Sequence, residues 1–177
     1  AAAGCAGGPD RTGGAAAIAP ADLDAHFVVV GDGAGLADLA AEIDTLGVGD
    51  RVHLLPAVPR REVPGLLAAA DISAVVLRDS PTFAGVLPSK IFEAMAMRRP
   101  ILLGVRGEAR ALVEEAHAGL AFTPGDPAAL LTSLRALADL GVAGRLALGA
   151  TARAHVLRHH DRNRQAEQLA RFLEQLS

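Results

Sequence analysis

The sequence predicts an α/β fold, a doubly wound parallel sheet with helices on both faces, and three observations carry that prediction. Five short, nearly continuous apolar runs recur along the chain: HFVVV, RVHLL, DISAVVL, PILLGV and GLAF. The segments between them carry apolar residues at helical spacing, as in Leu36, Leu39, Ala40, Ile43 and Leu46. Strands apolar on both faces and alternating with helices imply parallel pairing through right-handed crossovers. Finally, 177 residues with 51% hydrophobic and 21% charged side chains suit one well-buried domain.

The elements follow in order. Residues 1–25, AAAGCAGGPDRTGGAAAIAPADLDA, are Ala, Gly and Pro without periodicity, and are expected to be an irregular segment or linker ahead of a domain at 26–177. His26–Val30 reads as a strand that breaks on GDGAG, and Leu36–Gly47 as a helix. Arg51–Leu55 is a second strand stopped by Pro56, Arg61–Ala70 a short helix, and Asp71–Leu77 a buried strand. After the loop RDSPTFAGVLP come a helix at Ser89–Met97, a strand at Pro100–Val105, a helix at Glu108–Ala116 and a strand at Gly119–Phe122. Asp126 is a strong N-cap with Pro127 at the first helical position, and Leu130, Leu131, Leu134 and Leu137 mark the helix that follows. Helices at Ala143–His159 and Arg162–Leu176 close the chain.

Composition excludes several classes of function. A net charge of −3, with aromatics at 3% and neither Trp nor Tyr, removes both the basic footprint and the stacking platforms of a nucleic-acid binder. One cysteine, Cys5, allows no intrachain disulfide and fits a reducing compartment. No apolar run reaches membrane-spanning length and the Ala/Gly start does not resemble a secretory leader, so the expected location is cytoplasmic. The six histidines show no ligand spacing, and the adjacent pair His159 and His160 is expected to point to different sides of a helix, so no metal is expected. Motifs for a serine hydrolase, a zinc protease and a phosphate-binding loop are absent.

In a doubly wound sheet ligands lie beyond the carboxyl ends of the strands, here after Val30, Leu55, Leu77 and Val105. GDGAGL places Gly31 and Gly33 at such a position, yet Leu36 stands where a dinucleotide fingerprint needs glycine and no acid ends the second strand. The stretch SKIFE is more specific. Ser89 is expected to cap its helix, and a helix start is a natural seat for an anion. Sixteen of the 17 basic residues are Arg, while the single lysine, Lys90, lies at this helix start, where it suits phosphate as a compact point charge. Glu93 shares its flank. Two readings of Lys90 and Glu93 stand open: an exposed ion pair worth a few tenths of a kcal/mol, or a clamp holding a diphosphate and a ribose diol.

The order VVVGDG, DRVHLLPAVPRREVPGLLAAADISAVVL, GVLPSKIFEAMAMRRPILL, GEARALVEEAHAGLAFTPGDPAALLTSL resembles the C-terminal domain of family 4 retaining glycosyltransferases of the GT-B fold, nearest to bacterial enzymes that build surface polysaccharides. The resemblance runs from about His26 to the C-terminus. It implies a Rossmann-like donor-binding half that holds a nucleotide-sugar, usually a UDP-sugar, without a metal or other cofactor. Glu93 would bind the ribose, and Val86, Leu87, Pro88, Ser89 and Lys90 would meet the diphosphate. Ala57 and Val58 would meet the base, with Gly33 and Gly85 completing the substrate-binding set. No residue of this half is expected to be catalytic. The acceptor-binding N-terminal domain would be the missing partner, and a single half, lacking most of the cleft, is expected to be inactive.

Three departures from the family pattern matter. Gly85 stands where many members carry a second glutamate, and Arg98 where glycine commonly eases a left-handed helix end, at a cost of roughly 1 kcal/mol. The strand, helix and basic pair expected before His26 are not recognisable in residues 1–25. Rival readings are a UDP-amino-sugar epimerase-like domain and a non-catalytic nucleotide-binding α/β module.

Overall fold

A computed structural model describes residues 23–83 and 85–175. Residues 1–22 of the expected irregular segment lie outside the described residues. Five parallel strands form, all short: β1 (Phe27–Val30), β2 (Val52–Leu55), β3 (Ser73–Val76), β4 (Ile101–Gly104) and β5 (Gly119–Ala121). Between and after them lie α1 (Leu36–Leu46), α2 (Val63–Ala69), α3 (Ser89–Ala96), α4 (Glu108–Glu115), α5 (Pro127–Asp139), α6 (Gly141–His159) and α7 (Arg162–Glu174). The alternation is that of a Rossmann-like α/β half.

The strands divide into two hydrogen-bonded sheets, β1–β2 and β3–β4–β5. In the first, Phe27 pairs with Val52 and Val30 with Leu55; in the second, Ser73 pairs with Ile101 and Ile101 with Gly119. Among the described residues β1 is bonded along one edge only, and so is β3.

The main core is built on the second sheet. Ile91, Ala94 and Met95 of α3 pack with Ile101 and Leu103 of β4, Ala109 and Val113 of α4, and Ala152 and Val156 of α6. Leu102 points to the other face and joins Phe122, Leu134 and Leu137, with Leu23, Phe27 and Ile72 packed against them. Helix α6 also grips the end of α3. Gly149 passes so close that a Cβ there would stand 2.0 Å from the carbonyl oxygen of Arg98, and Arg153 donates to the carbonyl of Ala96.

Local chemistry explains most boundaries. Asp126 accepts a hydrogen bond from the Ala129 N–H at 3.0 Å with Pro127 following, and Asp161 caps α7 by accepting from Asn163 and Arg164. Among the described residues three helices end in the same left-handed motif, in which the left-handed residue bonds three back and its successor five back. Gly47 fills that position after α1 (φ 62°), Arg98 after α3 (φ 56°) and His117 after α4 (φ 45°). The strain expected at Arg98 is therefore kept.

Two expectations need correction. Ser89 does not cap α3: the N-cap is Pro88, in extended backbone, and Ser89 is already the first helical residue with no side-chain cap bond. The segment expected as one helix from Arg61 begins as a 3-10 turn, Arg60–Glu62, because Pro64 has no N–H to bond back into an earlier α-helical turn.

Candidate functional site

The start of α3 lies against the edge of β3. Together they border an open cavity of about 400 Å³ lined by Ala74–Leu77, Pro88, Ser89 and Lys90. Four consecutive strand residues can line one cavity only if it runs along the strand's edge, since side chains alternate between faces. The cavity thus follows the edge of β3 that is unpaired among the described residues, and meets the amino end of α3.

The helix end supplies positive potential from the peptide dipoles and first-turn N–H groups. The Ile91 N–H bonds back to the Pro88 carbonyl at 3.0 Å, and no side chain caps the turn. Lys90 is exposed and adds a full charge. Glu93 follows one turn later and is half-buried. Neither ionic group has a hydrogen-bond or ion-pair partner among the described residues. The exposed Lys90–Glu93 pair is therefore not formed. A lysine N-terminal to a glutamate on a helix is the weaker arrangement, and at this spacing it does not hold the two long side chains together.

The remaining expected residues are distributed as follows. Gly85, Val86 and Leu87 are exposed in the loop entering α3, and a Cβ on Gly85 would meet nothing within 4 Å. Ala57 (exposed) and Val58 (half-buried) follow the carboxyl end of β2, and Gly33 follows that of β1, where its carbonyl accepts from the Leu36 N–H. None of these, nor Glu93, lines the 400 Å³ cavity.

One pair at the strand tips was not found by sequence reasoning. Arg106, just after β4, grips Asp79, just after β3, through two parallel bonds, Nε–Oδ1 at 3.1 Å and Nη2–Oδ2 at 3.2 Å. The hydrogen bond and charge of Asp79 raise the Arg106 pKa further. The signal available was positional, since both residues sit one or two places past the end of adjacent apolar runs.

The histidines also meet in ways their spacing did not announce. In the parallel register Val28 faces His53, so His26, two residues earlier, shares that face; His26 Nδ1 and His53 Nε2 are 2.9 Å apart. The rings are nearly parallel (10°) with centroids 5.2 Å apart, which equals the N···N distance plus a ring radius at each end. The rings are thus edge to edge in one plane, and the N–H···N bond they share occupies both facing nitrogens. His159 and His160 do not point apart as expected: the chain leaves the helix at His160, and the two rings lie 4.6 and 5.8 Å from His155. Burial, and then the neighbouring His159 and His160, lower the His155 pKa. Among the described residues no group of three or more His, Cys, Asp or Glu side chains is placed to hold a metal. Nor, among those residues, is any helix long and apolar enough to cross a membrane.

Comparison with known proteins agrees with this architecture. Residues 15–139 match the family model described as glycosyl transferases group 1. A search of curated protein sequences gave no match. Among solved structures, HepE from Anabaena in complex with UDP is 24% identical with a TM-score of 0.68, covering 85% of this chain and 41% of that one. Sucrose-phosphate synthase from Thermosynechococcus elongatus is 21% identical (TM-score 0.68; 84% of this chain, 38% of that one). WaaG, a glycosyltransferase involved in lipopolysaccharide biosynthesis, is 24% identical (TM-score 0.61; 77% and 34%). At these identities the likeness shows the fold, that of a GT-B half. The chain spans about two-fifths of the length of HepE.

Proposed function

Because the chain belongs to the glycosyl transferases group 1 family, we propose that it is the donor-binding half of a retaining, family 4 glycosyltransferase. It binds a nucleotide-sugar, a UDP-sugar by preference, for transfer to a glycan or lipid-linked acceptor. The observation that carries this reading is the amino end of α3: an uncapped helix start with Lys90 on the cavity, and an unpartnered, half-buried Glu93 one turn behind. The complexes of HepE with UDP and with UDP-glucose support the choice of donor.

The chemistry assigned to these groups is as follows. As the bond from sugar to diphosphate breaks, negative charge grows on the leaving phosphate oxygen. The Ser89 and Lys90 N–H groups are donors fixed by the helix, and the exposed Lys90 ammonium can swing to the same charge, so this end of α3 does work a metal cation would otherwise do. Glu93 accepts hydrogen bonds from the two ribose hydroxyls and selects a ribonucleotide. The exposed loop Gly85–Leu87 and the turn at Ala57 and Val58 close over the diphosphate and the base. Gly33 leaves room beside them.

The acceptor half of the cleft lies outside these 177 residues, in line with the 41% share of HepE that is matched. Water exclusion and acceptor alignment need both walls, so the chain by itself is expected to bind donor without transferring sugar.

Calorimetric titration of UDP into the chain tests the proposal. A charge-assisted hydrogen bond is worth about 1.5–3 kcal/mol, so Glu93→Gln and Lys90→Gln should each weaken UDP roughly 10- to 100-fold with unchanged melting temperature. UDP affinity equal in wild type and both variants would sink the proposal.

A further inference from the structure

Leu77, just past β3, and Pro88–Lys90, at the start of α3, line the same cavity, and residues 78–88 join them. The loop therefore leaves the site and returns to it. Its own bonds are short-range: the Thr82 N–H donates to Ser80 Oγ at 3.3 Å, the Phe83 N–H to the Ser80 carbonyl at 3.0 Å and the Val86 N–H to the Phe83 carbonyl at 3.2 Å. All three stay within the loop. Its far end, Gly85–Leu87, is exposed and leads into the uncapped start of α3.

Among the described residues, a single interaction ties this loop to another segment by hydrogen bond or ion pair, and it is the bidentate pair of Asp79 and Arg106. Arg106 is a firm anchor for such a tie. The β3–β4 ladder runs as far as the Leu77 N–H, which donates to the Gly104 carbonyl at 3.1 Å, and Val105 after it is buried. The next residue is Arg106, so the pair adds a side-chain rung where backbone pairing stops. Both side chains are about half exposed, at 52% and 47%, so solvent screens their attraction and the pair adds little to global stability. A planar fork on a carboxylate still fixes direction, and a loop with one external tie depends on that tie for its local order.

We propose that Arg106, acting through Asp79, is a positioning residue: the clasp sets the path of residues 78–88 and so holds Gly85–Leu87 where they meet the diphosphate. The inference rests on the donor-binding reading above. Arg106 acts on the ligand through the loop, because its Nε and Nη2 are engaged by Asp79. Loosening the clasp lowers the fraction of molecules whose loop follows the competent path, and apparent affinity falls by that fraction. The turn at Ala57 and Val58, assigned to the base, belongs to a separate segment and is left as it is.

UDP and uridine, titrated separately into the full chain, give the first readout. Arg106→Gln and Asp79→Asn should each weaken UDP about three- to tenfold and leave uridine and the melting temperature unchanged. The double variant should be no weaker than either single one, because both remove the same tie. Arg106→Lys, which keeps the charge and loses the fork, should fall between wild type and Arg106→Gln. Hydrogen exchange is the second readout: in both single variants the Phe83 and Val86 amides should exchange faster, while those of Ile101 and Phe122 in the core should not. Tighter UDP binding by Asp79→Asn would mean that a released Arg106 meets the phosphates itself, and overturns the positioning role. UDP affinity untouched by every variant, or uridine weakened as much as UDP, overturns it too. A wild type that binds no UDP sinks the donor reading instead, and exchange at Phe83 and Val86 then decides by itself whether the clasp orders the loop.

Discussion

Strands β1 and β4 are both four-residue apolar runs, FVVV and ILLG, and nothing in their composition ranks one above the other. In the fold they differ completely. Ile101, Leu102 and Leu103 of β4 are at most 1% exposed, whereas Val28, Val29 and Val30 of β1 are 55%, 38% and 36% exposed. The reason is what surrounds them. β4 has β3 and β5 along its edges and helices over its faces, while among the described residues β1 has β2 on one edge alone. An apolar run reports that a strand can be buried, and the burial itself is decided by neighbours far away in the chain.

The sharpest way to break the comparison is through glycine. In β5, Gly119 lies opposite Ile101, and a Cβ there would stand 1.9 Å from the Ile101 carbonyl oxygen, a backbone atom that cannot swing aside. Gly119→Ala should cost more than about 4 kcal/mol, enough to empty the folded state of a marginal domain. In the β1 region a Cβ on Gly33 meets nothing within 4 Å. Gly33→Ala is expected to be neutral or stabilising by up to about 1 kcal/mol, by reducing the freedom of the unfolded chain. Urea melts of the two variants decide it, and similar losses would mean the two sheets are equally tightly built.

A smaller effect separates the strands themselves. Leu103→Ala removes a fully buried side chain and leaves a cavity, so about 3 kcal/mol should be lost. Val28→Ala removes a half-exposed one, and should cost about 0.5 kcal/mol. A loss at Val28 approaching that at Leu103 would show that the open face of β1 is covered in solution.

The same contrast explains what could be read from the sequence. Each strand, the Asp126 cap and the helix at SKIFE were legible because periodicity and capping are local signals, and their boundaries agree within a few residues. The division into two sheets was not legible, because strand pairing is a non-local choice. Nor was the Asp79–Arg106 clasp, or the facing of His26 by His53, since each depends on register between segments 27 residues apart. Lys90 stood out by being the only lysine, yet its cavity wall, Ala74–Leu77, comes from a strand that carries no chemical mark of its own.

The helix ends give the smallest and cleanest test. After α1, in the loosely packed region, the left-handed position is filled by Gly47, whereas after α3 and α4, beside the dense core, it is filled by Arg98 and His117. Left-handed backbone costs a side-chain-bearing residue about 1–2 kcal/mol, and glycine loses part of that advantage to unfolded-state entropy of about 0.4–1 kcal/mol. His117→Gly should therefore stabilise the chain by roughly 0.5–1 kcal/mol. His117 suits this test better than Arg98, whose backbone carbonyl is packed under Gly149 of α6. The strained position survives because Ala116 and Ala118, on either side of it, are both buried in the core, so the surrounding packing holds the backbone in place. A denaturation midpoint unchanged or lowered by His117→Gly would mean that the imidazole contributes a contact worth as much as the strain it endures.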